Sequence, residues 1–180
     1  MHVETRALLV VAGLPGAGKS TLLRDIEATA DITVLDTDHL RARLARTFPP
    51  GTAYSLYRPL VHLLHAARLV VAAVRAPGTL VVHDPATGAL TRSAFVVLGT
   101  LTRRPRHLLW IDCTVADALA GQRRRGRVLL GWSFSRHARN APRTRDRLAA
   151  GARPRGWRSV TVVDRTVTQQ GLRVEPAASN

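Results

Sequence analysis

The chain has 180 residues, 46% of them apolar, which fits one globular domain and excludes a disordered chain. No apolar run approaches the ~20 residues of a membrane-spanning helix, and the single cysteine, Cys113, excludes an internal disulfide or a cysteine-based metal cluster. The net charge of +15 comes from 27 basic residues, of which only Lys19 is a lysine. Because arginine fills every other basic position, Lys19 indicates a site that requires a compact ammonium group.

The N-terminus has some features of a secretory signal, since Arg6 precedes an apolar run at residues 7–12. This run is short, Glu4 precedes it, and a glycine-rich turn follows it directly. We therefore expect a cytoplasmic protein without a signal peptide and without membrane association. We also expect one domain over residues 1–175, a disordered tail over 176–180 and no obligatory protein partner.

Apolar runs typical of β-strands alternate along the chain with stretches of helical periodicity. The predicted strands cover residues 7–12, 32–35, 80–83, 108–112 and 160–164. The predicted helices cover residues 20–29, 39–46, 54–75, 92–103 and 115–124. This alternation predicts an α/β fold, a three-layer sandwich with a five-stranded, mostly parallel sheet. Ligands bind at the carboxyl ends of the strands in such sheets.

Residues 13–20 match the phosphate-binding pattern G-x-x-x-x-G-K-[ST] in full, between a predicted strand and a predicted helix. The backbone N–H groups of such a loop form a cradle for phosphates. Lys19 is expected to reach the β- and γ-phosphates, and the Ser20 hydroxyl to bind Mg²⁺. The sequence therefore predicts a P-loop NTPase that binds ATP with Mg²⁺. Its predicted nucleotide-binding residues are Gly13, Leu14, Pro15, Gly16, Ala17, Gly18, Lys19, Ser20 and Thr21.

The second predicted strand ends in Asp36-Thr37-Asp38, and we expect it to lie beside the P-loop strand. A carboxylate there can accept a proton from a substrate hydroxyl or orient that hydroxyl. Asp38 is the favoured catalytic residue, and Asp36 is a candidate metal ligand. A helix cap is the simpler interpretation of either aspartate. Arg41, one helical turn later, either binds an anionic part of the substrate or is a surface arginine.

The third predicted strand ends in His83-Asp84, the form of a Walker B strand. Asp84 either holds Mg²⁺ through water or starts a turn, since Pro85 follows it. His83 is better explained as a packed strand-end residue than as a catalyst. Leucines and valines recur at helical spacing over residues 54–75 and predict a core helix, on which His62 and His65 are candidates to face a substrate pocket.

The region from Arg123 to Arg158 contains 12 arginines and one acid, Asp146. Two interpretations remain open. The block is a solvated helix face joined to a lid, or it follows a nucleic-acid backbone while aromatic residues stack on bases. Those aromatic residues are Trp132, Phe134 and Trp157.

The complete P-loop near the N-terminus, the Asp36-Thr37-Asp38 motif and the late arginine cluster resemble the small P-loop kinases. Asp38-x-x-Arg41 is similar to the D-x-x-R of polynucleotide 5′-hydroxyl kinases and related AAA-type ATPases. Asp36-Thr37-Asp38 is also similar to the D-S/T-D of shikimate and gluconate kinases. The resemblance covers most of the chain to about Asp164, and it implies that Asp38 is the general base.

The resemblance also implies an arginine-rich lid over ATP, at about residues 121–140. Family lids read R-x-x-x-R, often ending in R-G. Arg123 and Arg127 form an intact pair with the glycine shifted, whereas an alignment on Arg125-Gly126 puts Gly121 in place of the first arginine. The catalytic lid residue therefore stays open among Arg123, Arg125 and Arg127. Arginine suits this role because its planar fork contacts several phosphoryl oxygens at once.

The sequence as a whole predicts an ATP-dependent phosphotransferase that acts on a hydroxyl group of a small molecule or of a nucleic-acid 5′ end. One alternative is a nucleotide-binding switch or accessory ATPase without a small acceptor. Another is a nucleic-acid-binding module that ATP regulates.

Overall fold

The computed structural model describes residues 1–24, 26–28, 31–124 and 131–176. The strands in these ranges are β1 His2–Val3, β2 Leu8–Gly13, β3 Ile26–Ala28, β4 Ile32–Leu35, β5 Thr79–His83, β6 Arg106–Asp112, β7 Ser159–Asp164 and β8 Leu172–Pro176. The α-helices are α1 Lys19–Leu22, α2 Thr37–Thr47, α3 Tyr54–Arg75, α4 Ala89–Leu101, α5 Val115–Arg124 and α6 Gly131–Ala149. A 3₁₀ helix, Arg165–Gln169, follows β7.

Five parallel strands form the main sheet in the order β4-β5-β2-β6-β7, which confirms the predicted α/β fold. Strand β2 lies at the centre and is fully buried, because its apolar residues face helices on both sides of the sheet. Strand β5 pairs with both β2 and β4. The prediction that the second strand lies beside the P-loop strand is therefore wrong, and Asp38 is one strand further from the P-loop than expected.

A smaller parallel sheet, β1-β8-β3, joins the two ends of the described chain. Its formation corrects the predicted helix 20–29, because α1 ends at Leu22 and Ile26 pairs with Leu172 of β8 instead. Strand β8 extends to Pro176, the first residue of the tail that the sequence predicts to be disordered. Residues 177–180 lie outside the described residues.

Helix α3 is amphipathic, and the predicted core assignment of its leucines and valines is wrong. Its buried residues include Tyr57, Val61 and His65, which follow one another at four-residue spacing. The opposite face is exposed, and Leu56 and Leu63 are 76% and 68% accessible. No helix in the described ranges is long and apolar enough to cross a membrane.

Helices α5 and α6 enclose the carboxyl end of the main sheet. Thr114 caps the start of α5, since its hydroxyl oxygen accepts a 3.1 Å hydrogen bond from the Asp117 N–H. Helix α6 is not among the predicted helices. Its Phe134 is buried in the core, as is Trp157, so neither side chain stacks on nucleic-acid bases. The side chain of Trp132 lies outside the described residues.

Candidate functional site

The P-loop leaves β2 at Gly13 and enters α1 at Lys19. Gly13, Gly16 and Gly18 have φ angles of 134°, 99° and 107°, a region that residues with side chains rarely adopt. A Cβ atom on Gly16 would lie 2.1 Å from the Ala118 carbonyl oxygen, and one on Gly18 would lie 2.8 Å from Thr168 Oγ1. The glycines therefore let α5 and the 3₁₀ helix close tightly around the loop.

Lys19 is buried within this loop. Its ammonium donates hydrogen bonds to the carbonyl oxygens of Gly13 and Leu14, at 2.8 and 2.9 Å. The side chain is thus held across the mouth of the loop, where its charge can act on an entering phosphate.

Helix α5 contacts the other end of the loop. The Gln122 side-chain amide donates a 2.9 Å hydrogen bond to the Pro15 carbonyl oxygen. A Cβ on Gly121 would lie 2.4 Å from the Gly16 carbonyl oxygen, so this position has no room for a side chain. This contact explains why position 121 carries glycine, the residue that replaces the first lid arginine in the alignment on Arg125-Gly126.

We expect Gly121→Ala to destabilise the fold by about 1–3 kcal/mol, because the added methyl group pushes α5 away from the P-loop. Nucleotide affinity should fall with it. Urea unfolding and a nucleotide titration measure the two effects. Gly131→Ala is the matched control, since its Cβ would meet nothing within 4 Å. Equal behaviour of the two variants would contradict tight packing of α5 on the loop.

The first cavity, of about 220 Å³, lies at the carboxyl ends of β2, β4 and β5. It brings together seven predicted site residues, namely Pro15, Gly16, Lys19, Ser20, Asp38, Arg41 and Asp84. The other lining residues are Thr37, Tyr54, Arg58, His62, His65, His83, Pro85, Gln122 and His137. Residues that are far apart in sequence thus form one polar site next to the P-loop.

Asp36 does not line this cavity. Its carboxylate caps α2 by accepting a 3.0 Å hydrogen bond from the Asp38 N–H, and the same oxygen lies 3.0 Å from His83 Nδ1. Burial opposes ionisation of Asp36, but His83 and the Asp38 N–H outweigh it and lower the pKa of this carboxyl to about 2. The structure therefore places Asp36 outside the first cavity, in contact with the Asp38 N–H and His83.

This lowered pKa gives Asp36 a pH-dependent effect on stability. The folded-state pKa lies below the ordinary value of 3.8, so the stabilisation is complete above pH ~5 and is lost as the pH falls towards 2. We expect Asp36→Asn to lower the free energy of unfolding by up to about 2 kcal/mol at pH 7, with a smaller difference at pH 3. Urea unfolding across this pH range measures it, with exposed Asp146→Asn as control. A difference that does not depend on pH would contradict the assignment.

Asp84 starts a turn, since its Oδ1 accepts a 2.7 Å hydrogen bond from the Ala86 N–H. The residue also lines the first cavity with Ser20, so its role as a Mg²⁺ ligand stays a prediction. Burial raises the pKa of Asp84, partly offset by the Ala86 N–H and by the nearby charge of Lys19. Mg²⁺ in nucleotide sites takes only one or two protein oxygens beside phosphate and water. Ser20 and Asp84 therefore fit such an ion, although the described residues contain no cluster of three or more His, Cys, Asp or Glu side chains arranged to hold a metal.

A second cavity, of about 640 Å³, lies on the other side of the P-loop, and Gly16 lines both cavities. One face of α5 contributes Asp117, Ala120, Gly121 and Arg124 to it. Beside them lie Gly18 and Thr21 of the P-loop and residues that follow the carboxyl ends of β6 and β7, including Cys113, Thr114, Arg165, Thr166 and Thr168.

A family comparison agrees with this geometry. The AAA_33 family model, described as an AAA domain, matches residues 8–133, well over half of the chain. The chain belongs to this AAA domain family. The matched residues include the P-loop, Asp36-Thr37-Asp38 and Arg41, and the resemblance to the small P-loop kinases and AAA-type ATPases is confirmed. Among curated proteins, no sequence matches the chain.

Solved structures share the fold of this AAA domain. A chain from the PezAT chromosomal toxin–antitoxin system of Streptococcus pneumoniae is 15% identical, with a TM-score of 0.62. The match covers 92% of this chain and 69% of that one. A proposed kinase from Chloroflexus aurantiacus J-10-fl is 17% identical, with a TM-score of 0.57 and coverage of 93% of this chain and 90% of that one. At these identities the similarity shows the fold alone.

Four histidines of the AAA domain line the first cavity. The sequence singles out His62, His65 and His83, and the structure brings all three there. It adds His137 from α6, whose Nδ1 lies 2.7 Å from Thr87 Oγ1. Burial, supported by the charge of Arg136, lowers the pKa of His137 to about 4, so this ring is neutral at pH 7. Sequence analysis missed His137 because no helix was predicted around it.

Of the arginines at the end of α5, the one that lines a cavity is not the predicted candidate. Arg123 is exposed and lines neither cavity, whereas Arg124 lines the second cavity near Thr21. Arg125 and Arg127 lie outside the described residues. Helical spacing from Asp117 and Gly121 would have pointed to Arg124, since residues i, i+4 and i+7 share a helix face.

Several arginines of the basic block form ion pairs. Arg145 lies 2.9 Å from Asp146 and Arg158 lies 3.0 Å from Glu4, whereas Arg139 and Arg143 are exposed along α6. Exposed ion pairs of this kind contribute little to stability.

If this block does bind nucleic acid, its affinity for a single-stranded oligonucleotide should fall steeply with salt. We expect weak binding at 50 mM salt and at least a tenfold loss by 200 mM, because each phosphate contact releases counterions. Fluorescence anisotropy measures it, with Arg139→Gln/Arg143→Gln expected to reduce the slope. Binding that does not change with salt, or none at 50 mM, removes nucleic acid as a partner of the block.

Proposed function

We propose that this AAA domain is an ATP-dependent phosphotransferase that transfers the γ-phosphoryl group to a hydroxyl group of its acceptor. The observation that carries the proposal is the first cavity, where Lys19 and Ser20 of the P-loop face the same space as Asp38 and Arg41. A pure ATPase needs only a site for water. A cavity next to the P-loop with its own carboxylate and arginine also provides a site for a second substrate.

The two cavities suggest how the nucleotide lies. Its phosphates occupy the P-loop, and its base and ribose occupy the second cavity beside Thr21 and Arg124. The γ-phosphate then points past Lys19 into the first cavity. The acceptor in the first cavity would then lie on the opposite side of the γ-phosphate from the ADP leaving group, as in-line transfer requires.

Within this site, the acceptor oxygen attacks the γ-phosphorus, its bond to phosphorus forms, the bond to the β–γ bridging oxygen breaks, and ADP leaves. Asp38 takes the proton from the acceptor hydroxyl. Asp36 holds the start of α2, and hence Asp38, by accepting from the Asp38 N–H. Lys19 places its charge beside the phosphoryl oxygens.

Mg²⁺, held by Ser20 and through water by Asp84, would neutralise charge on the phosphates. An arginine in the last turn of α5 or after it completes the charge neutralisation. Arg123, Arg125 and Arg127 remain the candidates from the sequence, and Arg124 joins them from its place in the second cavity.

The test is a transfer assay with γ-labelled ATP, Mg²⁺ and a panel of hydroxyl compounds and 5′-hydroxyl oligonucleotides. We expect label to appear in one class of acceptor, with one ADP formed for each acceptor phosphorylated. ADP formed at the same rate without acceptor would instead support the accessory-ATPase alternative.

A further inference from the structure

The wall of the first cavity contains a buried side chain whose polar atoms have no partner. His65 is 7% exposed and lines the cavity. Neither of its ring nitrogens has a hydrogen-bond partner among the residues that the structure describes. Buried polar atoms are normally paired, because an unpaired donor or acceptor loses the hydrogen bonds that water would provide.

The position of His65 on α3 is fixed by its neighbours. Tyr57, Val61 and His65 form the buried face of this helix, so the imidazole is held at the cavity rather than in solvent. Burial lowers the pKa of His65, and the nearby Arg68 lowers it further, against the opposing effect of Asp84. A neutral imidazole offers one N–H donor and one acceptor, a pair that suits hydroxyl groups.

Two arginines of the same cavity add a preference for negative charge. The Arg41 guanidinium lies 4.2 Å from the centre of the Tyr54 ring, a contact that fixes it at the cavity wall. Arg58 donates a 3.3 Å hydrogen bond through Nε to His62 Nε2, one helical turn further along α3. This bond holds the second guanidinium at the cavity wall. Arginine forks of this kind bind carboxylate or phosphate.

The size of the cavity limits the acceptor. Its volume of about 220 Å³ is below the roughly 300–1,000 Å³ that is typical for drug-sized ligands. The γ-phosphate takes part of that space. A polynucleotide end would therefore extend out of the site, whereas a compact metabolite would fit within it.

We propose that His65, with Arg41 and Arg58, forms an acceptor subsite for a small polyhydroxylated compound that carries one carboxylate or phosphate. The proposal rests on the proposed function for its place beside the γ-phosphate, and it names the class of acceptor. His65 binds a hydroxyl group of this compound, and the arginines bind its anionic group.

Binding in the absence of ATP tests the subsite separately from catalysis. The probes are four- to six-carbon sugar acids, sugar phosphates of the same length, the corresponding neutral alditols and a 5′-hydroxyl dinucleotide, titrated by calorimetry. We expect at least one anionic compound to bind at least tenfold more tightly than its neutral counterpart. The acid and phosphate series show which anion is preferred.

Variants then locate the binding. His65→Phe should weaken binding of that compound at least tenfold, His65→Gln should retain most of it, and Arg41→Met should remove the preference for the anion. His2→Phe is the control, because His2 is exposed and far from the cavity in the small sheet. Thermal unfolding verifies that each variant is folded, and the His65 ring protons should shift in NMR spectra when the compound binds.

Each other outcome overturns the inference. These outcomes are equal affinity for charged and neutral compounds, binding of the dinucleotide alone, no binding by any probe, or no effect of His65→Phe in a folded protein. Binding that depends on His65 without any phosphoryl transfer would overturn the proposed function and leave the subsite standing. If phosphoryl transfer to an acceptor is observed but does not depend on His65, the proposed function stands and the subsite is overturned.

Discussion

Lys19→Ala should abolish measurable phosphoryl transfer, with a rate loss on the order of 10²–10³ or more, while the protein remains folded. The ammonium of Lys19 lies 2.8 Å from the Gly13 carbonyl oxygen and 2.9 Å from that of Leu14, so it already occupies the mouth of the phosphate loop. Alanine leaves both carbonyls without this donor and removes the charge that the phosphates need. The measurements are the transfer rate, the nucleotide affinity and the Tm.

Lys19→Arg should fail as well, although it keeps the charge. The side chain at this position is 3% exposed, and a planar guanidinium is broader than the ammonium that the loop encloses. Arg46→Ala, which removes an exposed charge from the last turn of α2, is the control and should retain full activity. A fully active Lys19→Arg enzyme would contradict a loop built around a compact charge.

Asp38→Asn should retain nucleotide affinity and lose phosphoryl transfer by a factor on the order of 10²–10⁴, as expected for a general base. Asp38 lines the first cavity together with Lys19, so its carboxylate faces the space through which an acceptor hydroxyl must enter. Asparagine has nearly the same size but does not accept a proton. Because Asp36 provides the cap of α2, the helix should survive the change.

Asp36→Asn is the matched control for this experiment. It lies two residues away, caps the same helix and does not line the cavity, so transfer should fall much less than in Asp38→Asn. Single-turnover rates and nucleotide titrations of the two variants make the comparison. A reversed order would assign the base to Asp36. If neither variant changes turnover with an identified acceptor, the phosphotransferase mechanism is wrong and a nucleotide switch takes its place.

The sequence predicted the strands of the main sheet well because each is a short apolar run, and the three central strands, β2, β5 and β6, are also largely buried. It did not predict their order, since periodicity describes one strand and pairing depends on distant residues. The same limit explains the helix predicted at residues 20–29. Its helical pattern is local, whereas Ile26 pairs with Leu172, almost the whole chain away, and that pairing prevails.

The candidate site was predicted where a motif fixes the chemistry and was missed where only the fold does. The P-loop and Asp38 stand in patterns that sequence alone reveals. His137 lines the first cavity because α6 brings it there, and the arginine-rich composition of that region hides its helical periodicity. Arg124 lies on a helix that was predicted, but the sequence does not show that this face of the helix lines a cavity. The role of Trp157 stayed open for a related reason, because an aromatic residue among arginines gives no sign that it is buried.

The closure of the P-loop by late elements has a consequence for protein synthesis. The loop is translated early, yet the atoms that enclose it belong to Ala118, Gln122 and Thr168. At roughly 5–20 residues per second, the ribosome reaches Thr168 about 8–30 s after the loop itself. During that interval the nascent chain carries a complete motif without its binding site. A ribosome-bound chain that stops before the 3₁₀ helix should therefore be unable to retain nucleotide.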